Sequence, residues 1–317
     1  MNGSTALSPW LPTAPCTPGR CAAHTEDGAG DPFERGAGAR AERAVLPLAV
    51  ARLLAGTGTV LLGVLLAPVA GLLPAAVRLV LVRCWVRAVV RAFGVRVRHT
   101  GATGAAPGPL LVVANHVSWL DIPIVAAVLP GRMVAKTEVR SWPVLGPLAA
   151  LGGTVFVDRD RLKALPGTVR DITGALSRGG RVVVFPEGST WCGRARGRFR
   201  PAAFQSALDA GCAVLPLRID YRPTGAAAYV GDDPLGASLW RVVTTRRVVA
   251  TVRTAAPLPS GRYPDRRALA AAAQQAVAHL DVAQRAVARE SANLPPLSVH
   301  QRDSSRPAAA SSSRTPS

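Results

Sequence analysis

The sequence predicts an α/β domain, a mixed and mostly covered sheet flanked by helices, preceded by an N-terminal membrane-associated helical segment. Three observations predict it. From Val95 onward, short apolar runs alternate with amphipathic stretches, as when strands and helices take turns along a chain. Before Val95, the 25 positions Leu53–Val77 carry no charged residue. Before those, Met1–Ala44 is rich in Gly, Ala, Pro and Thr and has no period, so it reads as a disordered leader.

As a helix, Leu53–Val77 would be roughly 38 Å long at ~1.5 Å per residue, against a hydrocarbon core of ~30 Å. Gly56, Gly58, Gly63, Pro68, Gly71 and Pro74 interrupt it. Two half-helices meeting near Pro68 and dipping into one leaflet, one spanning helix, and a hairpin buried in a globular core all remain open. Arg78, Arg83, Arg87, Arg91, Arg96 and Arg98 follow at once. Positions 83, 87 and 91 share a helix face and suit anionic membrane lipid. The positive-inside rule makes this end cytoplasmic, so the expectation is a cell-membrane protein with its site on the cytoplasmic face.

Strands are expected at Val95–His99, Leu110–Ala114, Met133–Ala135, Thr154–Val157, Arg181–Phe185, Val214–Asp220 and Val248–Thr254. Helices are expected at Ile122–Leu129, Ala164–Arg178, Ala202–Ala210 and Asp265–Glu290. In the last, Leu269, Ala273, Val277, Leu280 and Val287 keep helical spacing. The domain organisation is then a leader (1–44), a membrane-associated segment (45–94), an α/β domain (95–290) and a disordered tail (291–317). Ligands of such a sheet sit beyond the carboxyl ends of its strands.

Composition narrows the partners. Lys+Arg number 38 against 19 Asp+Glu, a formal charge of +19, which predicts attraction to phosphate head groups, nucleic acid or acidic lipid. Aromatic residues are only 5% and no recognition motif stands out, which argues against nucleic acid. The 5 cysteines (Cys16, Cys21, Cys84, Cys192, Cys212) are odd in number and irregularly spaced. They are read as free thiols in a reducing compartment, with neither a disulfide framework nor a closed metal site.

Four stretches can carry chemistry. Asn115-His116-Val117-Ser118-Trp119-Leu120-Asp121 follows the apolar strand Leu110–Ala114. In one continuous helix His116 and Asp121 would point about 140° apart, so they meet only if the chain turns between them. Pro123, tolerated only in a first helical turn, allows that. Asp121 could then fix the imidazole tautomer and leave the other nitrogen as a base. Equally, Asp121 could cap the following helix or close a Ser118-x-x-Asp121 capping box, with His116 a buried turn residue. Phe185-Pro186-Glu187-Gly188-Ser189-Thr190 brings a strand into a turn bearing a carboxylate, a flexible glycine and two hydroxyls. Its backbone N–H groups could form an anion nest. Phe156-Val157-Asp158-Arg159 ends a strand in a cation suited to phosphate, or to an ion pair with Asp158 or Asp160. Val214-Leu215-Pro216-Leu217 is an apolar strand whose proline suggests an edge or a kink.

In this order the four stretches resemble the glycerolipid acyltransferase family, specifically 1-acylglycerol-3-phosphate (lysophosphatidate) acyltransferases and their relatives. The resemblance covers about Val95 to Arg253. It implies a glycerolipid acyltransferase-like fold and transfer of a fatty acyl group from acyl-CoA or acyl-ACP to the hydroxyl of a lysophospholipid, without cofactor or acyl-enzyme. It implies that His116 is the general base and Asp121 its orienter, and that Asn115, Lys136, Arg159, Glu187, Gly188 and Ser189 bind substrate. The family's third block commonly continues with Arg, but here Trp191-Cys192-Gly193 follow Thr190, and charge returns only at Arg194, Arg196, Arg198 and Arg200. Gly231-Asp232-Asp233 to Trp240-Arg241 is similar to relatives that acylate lyso-ornithine lipid, the alternative acceptor. Two rival readings are a non-catalytic, membrane-tethered binder of polyanions and a lipid hydrolase using a serine. The hydrolase reading lacks a G-x-S-x-G elbow.

Overall fold

The computed structural model describes residues 14–17, 21, 43–101, 108–143, 145–158 and 161–293. Arg159, most of the expected leader and the expected tail beyond 293 lie outside the described residues. In chain order the helices and strands are α1 (Leu46–Gly71), α2 (Ala75–Ala92), β1 (Val95–Thr100), β2 (Leu110–Ala114), α3 (Asp121–Val128), β3 (Arg132–Lys136), α4 (Leu145–Leu151), β4 (Val155–Val157), α5 (Leu165–Ser177), β5 (Arg181–Val184), α6 (Ala202–Asp209), β6 (Ala213–Arg222), α7 (Thr224–Ala227), α8 (Leu235–Thr244), β7 (Val248–Thr254), β8 (Leu258–Pro259) and α9 (Arg266–Asn293).

The strands form one mixed sheet in the order β1-β7-β6-β2-β5-β3-β4, with β8 beside β6. Neighbours are parallel except β6 with β7 and β6 with β8. The carboxyl ends of β6, β2, β5, β3 and β4 therefore share one edge. β2 is buried throughout and its alternate side chains serve two cores. Leu110, Val112 and Ala114 face Val86, Val90, Ile124 and Val242 of α2, α3 and α8. Leu111 and Val113 face Ile172, Phe204, Leu269 and Ala273 of α5, α6 and α9. Helices thus cover both faces, as an apolar, largely parallel sheet demands.

Pro216 lies inside central β6, not at an edge. Its missing N–H faces the gap between the β7 pairing, which ends at Leu217 opposite Thr254, and the β8 pairing, which starts at Val214 opposite Leu258. Its carbonyl accepts from Ala255 N–H across that gap, so no ladder bond is lost.

The apolar segment is a helical hairpin. α1 runs unbroken through Pro68, and the reversal comes at Leu72–Pro74, where a helix-ending Gly71 and a following proline coincide. Close packing holds the pair together. A Cβ at Gly56 would stand 2.2 Å from the Phe93 ring, and one at Gly63 2.1 Å from Trp85, whose indole N–H donates to the Thr59 carbonyl at 2.8 Å. The apolar window of α1 is only 6% buried, which overturns the buried-hairpin reading, and Leu65 and Leu72 are 74% and 87% exposed. α1 is long and apolar enough to cross a membrane.

Both ends of the hairpin are fastened to the domain. Arg52 of α1 donates to the carbonyls of Val243, Thr245 and Arg246 at the end of α8. Arg83 and Arg87 of α2 both donate through Nε to the Ala127 carbonyl near the end of α3. Two of the three arginines expected on a lipid-facing stripe are therefore part of the internal bonding, because they satisfy a helix C-terminus that would otherwise lack donors.

Candidate active site

The site begins where β2 ends. Asn115 is buried, and its side-chain amide mimics one more strand residue: Nδ2 donates to the Ile219 carbonyl at 2.9 Å and Oδ1 accepts from Ile219 N–H at 2.8 Å. Both ends of that amide are thus committed to β6, so Asn115 fixes the point at which the chain leaves the sheet, a different task from the substrate contact expected of it.

The next residues turn back on themselves, as the His116–Asp121 spacing requires. His116 Nδ1 lies 2.7 Å from Asp121 Oδ2. The same oxygen accepts the N–H groups of Val117 at 2.7 Å and Ser118 at 2.9 Å. Asp121 Oδ1 accepts from the Tyr221 hydroxyl at 2.5 Å. Asp121 is fully buried, and four donors supply what water would have given its charge. The backward bond to Ser118 N–H is half of the expected capping box, while Ser118 Oγ takes the N–H of Leu120 instead. Asp121 caps the preceding turn, not the helix it begins. With Nδ1 donating to a carboxylate, the Nε2 lone pair is the one left for chemistry. The ring stacks on Phe185 at a centroid distance of 4.2 Å and 18°.

Glu187 clamps this loop to the next. Its Oε2 accepts the backbone N–H of His116 at 2.8 Å and its Oε1 that of Gly197 at 3.1 Å. Trp191 N–H donates to the His116 carbonyl at 2.8 Å. Burial pushes the Glu187 carboxyl up to about 7, with the two N–H donors pulling the other way. Both oxygens being committed, Glu187 positions His116, where head-group binding had been expected. Gly188 has φ +75°, and Ser189 beside it is half-buried.

Lys136 ends β3, paired with Val157 at the end of β4, and its ammonium lies 5.9 Å over the Trp142 ring. The expected Arg159 lies outside the described residues. An open cleft of about 520 Å³ runs beside β4 and α5, lined by Arg132, Arg140, Phe156, Arg170 and Arg178.

A family model described as Acyltransferase matches residues 96–220. A lyso-ornithine lipid O-acyltransferase of Pseudomonas aeruginosa is 39% identical over 201 residues, 62% of this chain and 76% of the relative. The chain belongs to the acyltransferase family. A 1-acyl-sn-glycerol-3-phosphate acyltransferase of Neisseria gonorrhoeae is 38% identical over 168 residues, 51% of this chain and 66% of the relative. The crystal structure of the 1-acyl-sn-glycerophosphate acyltransferase of Thermotoga maritima superposes with a TM-score of 0.59 at 20% identity, covering 79% of this chain and 97% of that one. The fold is therefore shared.

Tyr221 and Tyr229, which shape this acyltransferase's site, carried no signal in the sequence, whereas Asp233–Arg241 stood out only for its similarity to relatives that acylate lyso-ornithine lipid. Tyr221 lies at the far end of β6. It is wholly buried, and burial followed by the Asp121 charge holds its hydroxyl protonated well above the usual tyrosine range, so it stays a donor. Tyr229 N–H donates to the Val117 carbonyl, and Trp119 Nε1 to Ser238 Oγ at 3.2 Å. The segment from α7 to α8 thus braces the loop that carries His116. It is itself tied by Arg241, which meets Asp233 Oδ2 at 2.5 Å and the Ala228 carbonyl at 2.7 Å. Only a long-range pairing, invisible to spacing rules, could have pointed to these contacts.

Proposed function

We propose that the protein transfers a fatty acyl group from acyl-CoA or acyl-ACP to the free hydroxyl of a lysophospholipid at the cell membrane, with 1-acylglycerol-3-phosphate as acceptor and phosphatidate as product. The observation that carries this reading is the His116–Asp121 pair, 2.7 Å apart at the carboxyl edge of the sheet. His116 Nε2 takes the acceptor's proton as that oxygen attacks the thioester carbonyl. Asp121 balances the imidazolium, and collapse of the tetrahedral intermediate expels the thiolate, which recovers the proton from His116. Ser118 is fully buried with its oxygen taken by Leu120 N–H, which disfavours a serine hydrolase. A catalytic dyad would serve no purpose in a passive polyanion binder.

Arg194, Arg196, Arg198 and Arg200 are exposed while Gly197 and Phe199 between them are buried, so this run offers cations beside Glu187 in place of the absent Arg after Thr190. The arginine cleft is the place for the donor's phosphates or an acidic carrier. It lies beside β4 and α5, with β4 three strands from β2, or about 15 Å at the usual strand spacing. The hairpin dips into one leaflet: both its ends are held by the domain, and α2 carries arginines bonded to α3, so neither helix leads across. By the positive-inside rule the arginines favour the cytoplasmic face for the site. A second acceptor, lyso-ornithine lipid, is favoured by the braced segment Asp233–Arg241 and by the relative of that name.

Thiol release from a long-chain acyl-CoA by the full chain in detergent tests the reading. Release should require lysophosphatidate and vanish in His116→Ala. Release with lyso-ornithine lipid alone moves the acceptor to the second reading, and an active His116→Ala protein ends the mechanism.

A further inference from the structure

Three cysteines come together outside the catalytic site. Cys16 and Cys21, from the leader, and Cys192, from the loop after β5, have sulfurs all within 4.8 Å of one another. None is in a disulfide. Cys16 is buried, at 5% exposure. The sequence had given these thiols no shared purpose, because Cys192 is remote from the other two along the chain.

We propose that Cys16, Cys21 and Cys192 bind a thiophilic divalent cation, zinc by preference, as three thiolate ligands with a solvent molecule as the fourth. The separations fit. Two sulfurs each about 2.3 Å from a tetrahedral zinc lie about 3.8 Å apart, inside the observed limit and well beyond a disulfide bond. Four residues separate Cys16 from Cys21 in the sequence, within the spacing common to paired zinc ligands. A donor set of sulfur alone selects zinc over magnesium or calcium, which take oxygen.

Backbone donors reach two of the three sulfurs. The N–H groups of Arg194 and Ala195 point at Cys192 sulfur, and the N–H of Cys192 points at Cys16 sulfur. Such donors orient and stabilise bound thiolates. The turn that presents them depends on Gly193 at φ +84°, where a Cβ would stand 2.6 Å from Thr224 Cγ2. Three thiolates on a divalent ion leave one negative charge, and the exposed Arg194 beside it offsets that charge. A disulfide, by contrast, would use two sulfurs and leave the third converging on nothing. The metal would fasten the leader to the very loop whose Trp191 N–H holds the His116 carbonyl and whose Gly197 N–H holds Glu187.

The test is cobalt binding to the full chain, purified in detergent under reducing conditions and freed of any affinity tag. The wild type should take up a single cobalt(II), show thiolate-to-cobalt charge-transfer absorption and exchange it for zinc. Cys16→Ser, Cys21→Ser and Cys192→Ser should each weaken cobalt affinity by at least about 100-fold, while Cys84→Ser leaves it unchanged. Wild type that binds no more cobalt than the triple serine variant overturns the proposal, and needs no variant to be well folded. So does a disulfide joining two of the three, found by alkylation and mass spectrometry of protein prepared without reductant.

Discussion

At the carboxyl ends of β2 and β5, the carboxylate oxygens of Asp121 and Glu187 are all taken by donors within the protein, from Tyr221 OH to Gly197 N–H. At the ends of β3 and β4, along the same edge, the cations rest on rings instead: Lys136 lies over Trp142, and Arg140 lies 5.7 Å over Phe156. The first region is buried and hydrogen-bonded from several elements, so one geometry is enforced. The second is open and held by soft contacts that tolerate rearrangement. Under the proposed function the difference separates two tasks. A base must be held to a fraction of an ångström, whereas a charged, extended donor needs attraction more than fit.

The sharpest way to break this contrast is to disturb the rigid half. Asp121→Asn removes the charge and presents an N–H₂ where donors converge, and kcat should fall roughly a thousandfold to ten-thousandfold. Because so buried a change can harm folding, Tyr221→Phe is the cleaner companion. It deletes one donor and should lower kcat about tenfold or more while KM for acyl-CoA holds. A changed KM with intact kcat would assign Tyr221 to the substrate instead.

Glu187 sharpens the comparison through pH. Its folded-state carboxyl sits at about 7, above an ordinary 4.5, so the folded protein binds the extra proton. The associated stability is present below pH 4.5 and is lost as pH rises through about 7, of order 3 kcal/mol in all. Melting temperature in detergent should therefore decline between pH 5 and pH 8. In Glu187→Gln, whose amide can accept from only one of the two N–H groups, it should be lower but flat. Parallel profiles for the two proteins would place the titrating group elsewhere. The smallest effect belongs to the arginine cleft beside β4 and α5: Arg170→Ala with Arg178→Ala should raise KM for acyl-CoA several-fold, by about 1 kcal/mol, with kcat unchanged.

Much of the scaffold was legible because its signals are local. Leu110–Ala114 and Val248–Thr254 read as strands from apolar runs alone, and both are found at those bounds. The turn between His116 and Asp121 was legible because five residues cannot bring two side chains together on a straight helix. The short helix α8 went unread, its pattern too brief to separate from a loop. What else stayed hidden is non-local. Asn115 finds Ile219 from 104 positions away, and Tyr221 reaches Asp121 from 100. No spacing rule spans such distances, because the partner is chosen by strand order. The placement of Pro216 was misleading for the same reason: whether a strand is central depends on which neighbours arrive later, and here two neighbours leave a gap where the proline falls.

The hairpin has a kinetic consequence. Phe93 packs under Gly56 and meets Trp119 edge-on, with ring centroids 6.3 Å apart, so the height of the His116 loop is set against the hairpin, which the proposed function seats in one leaflet. On that proposal the acceptor is sought in two dimensions. Turnover should then follow the mole fraction of lysolipid in the surface, and diluting the bilayer with inert lipid should slow the enzyme even when the bulk concentration of acceptor is unchanged.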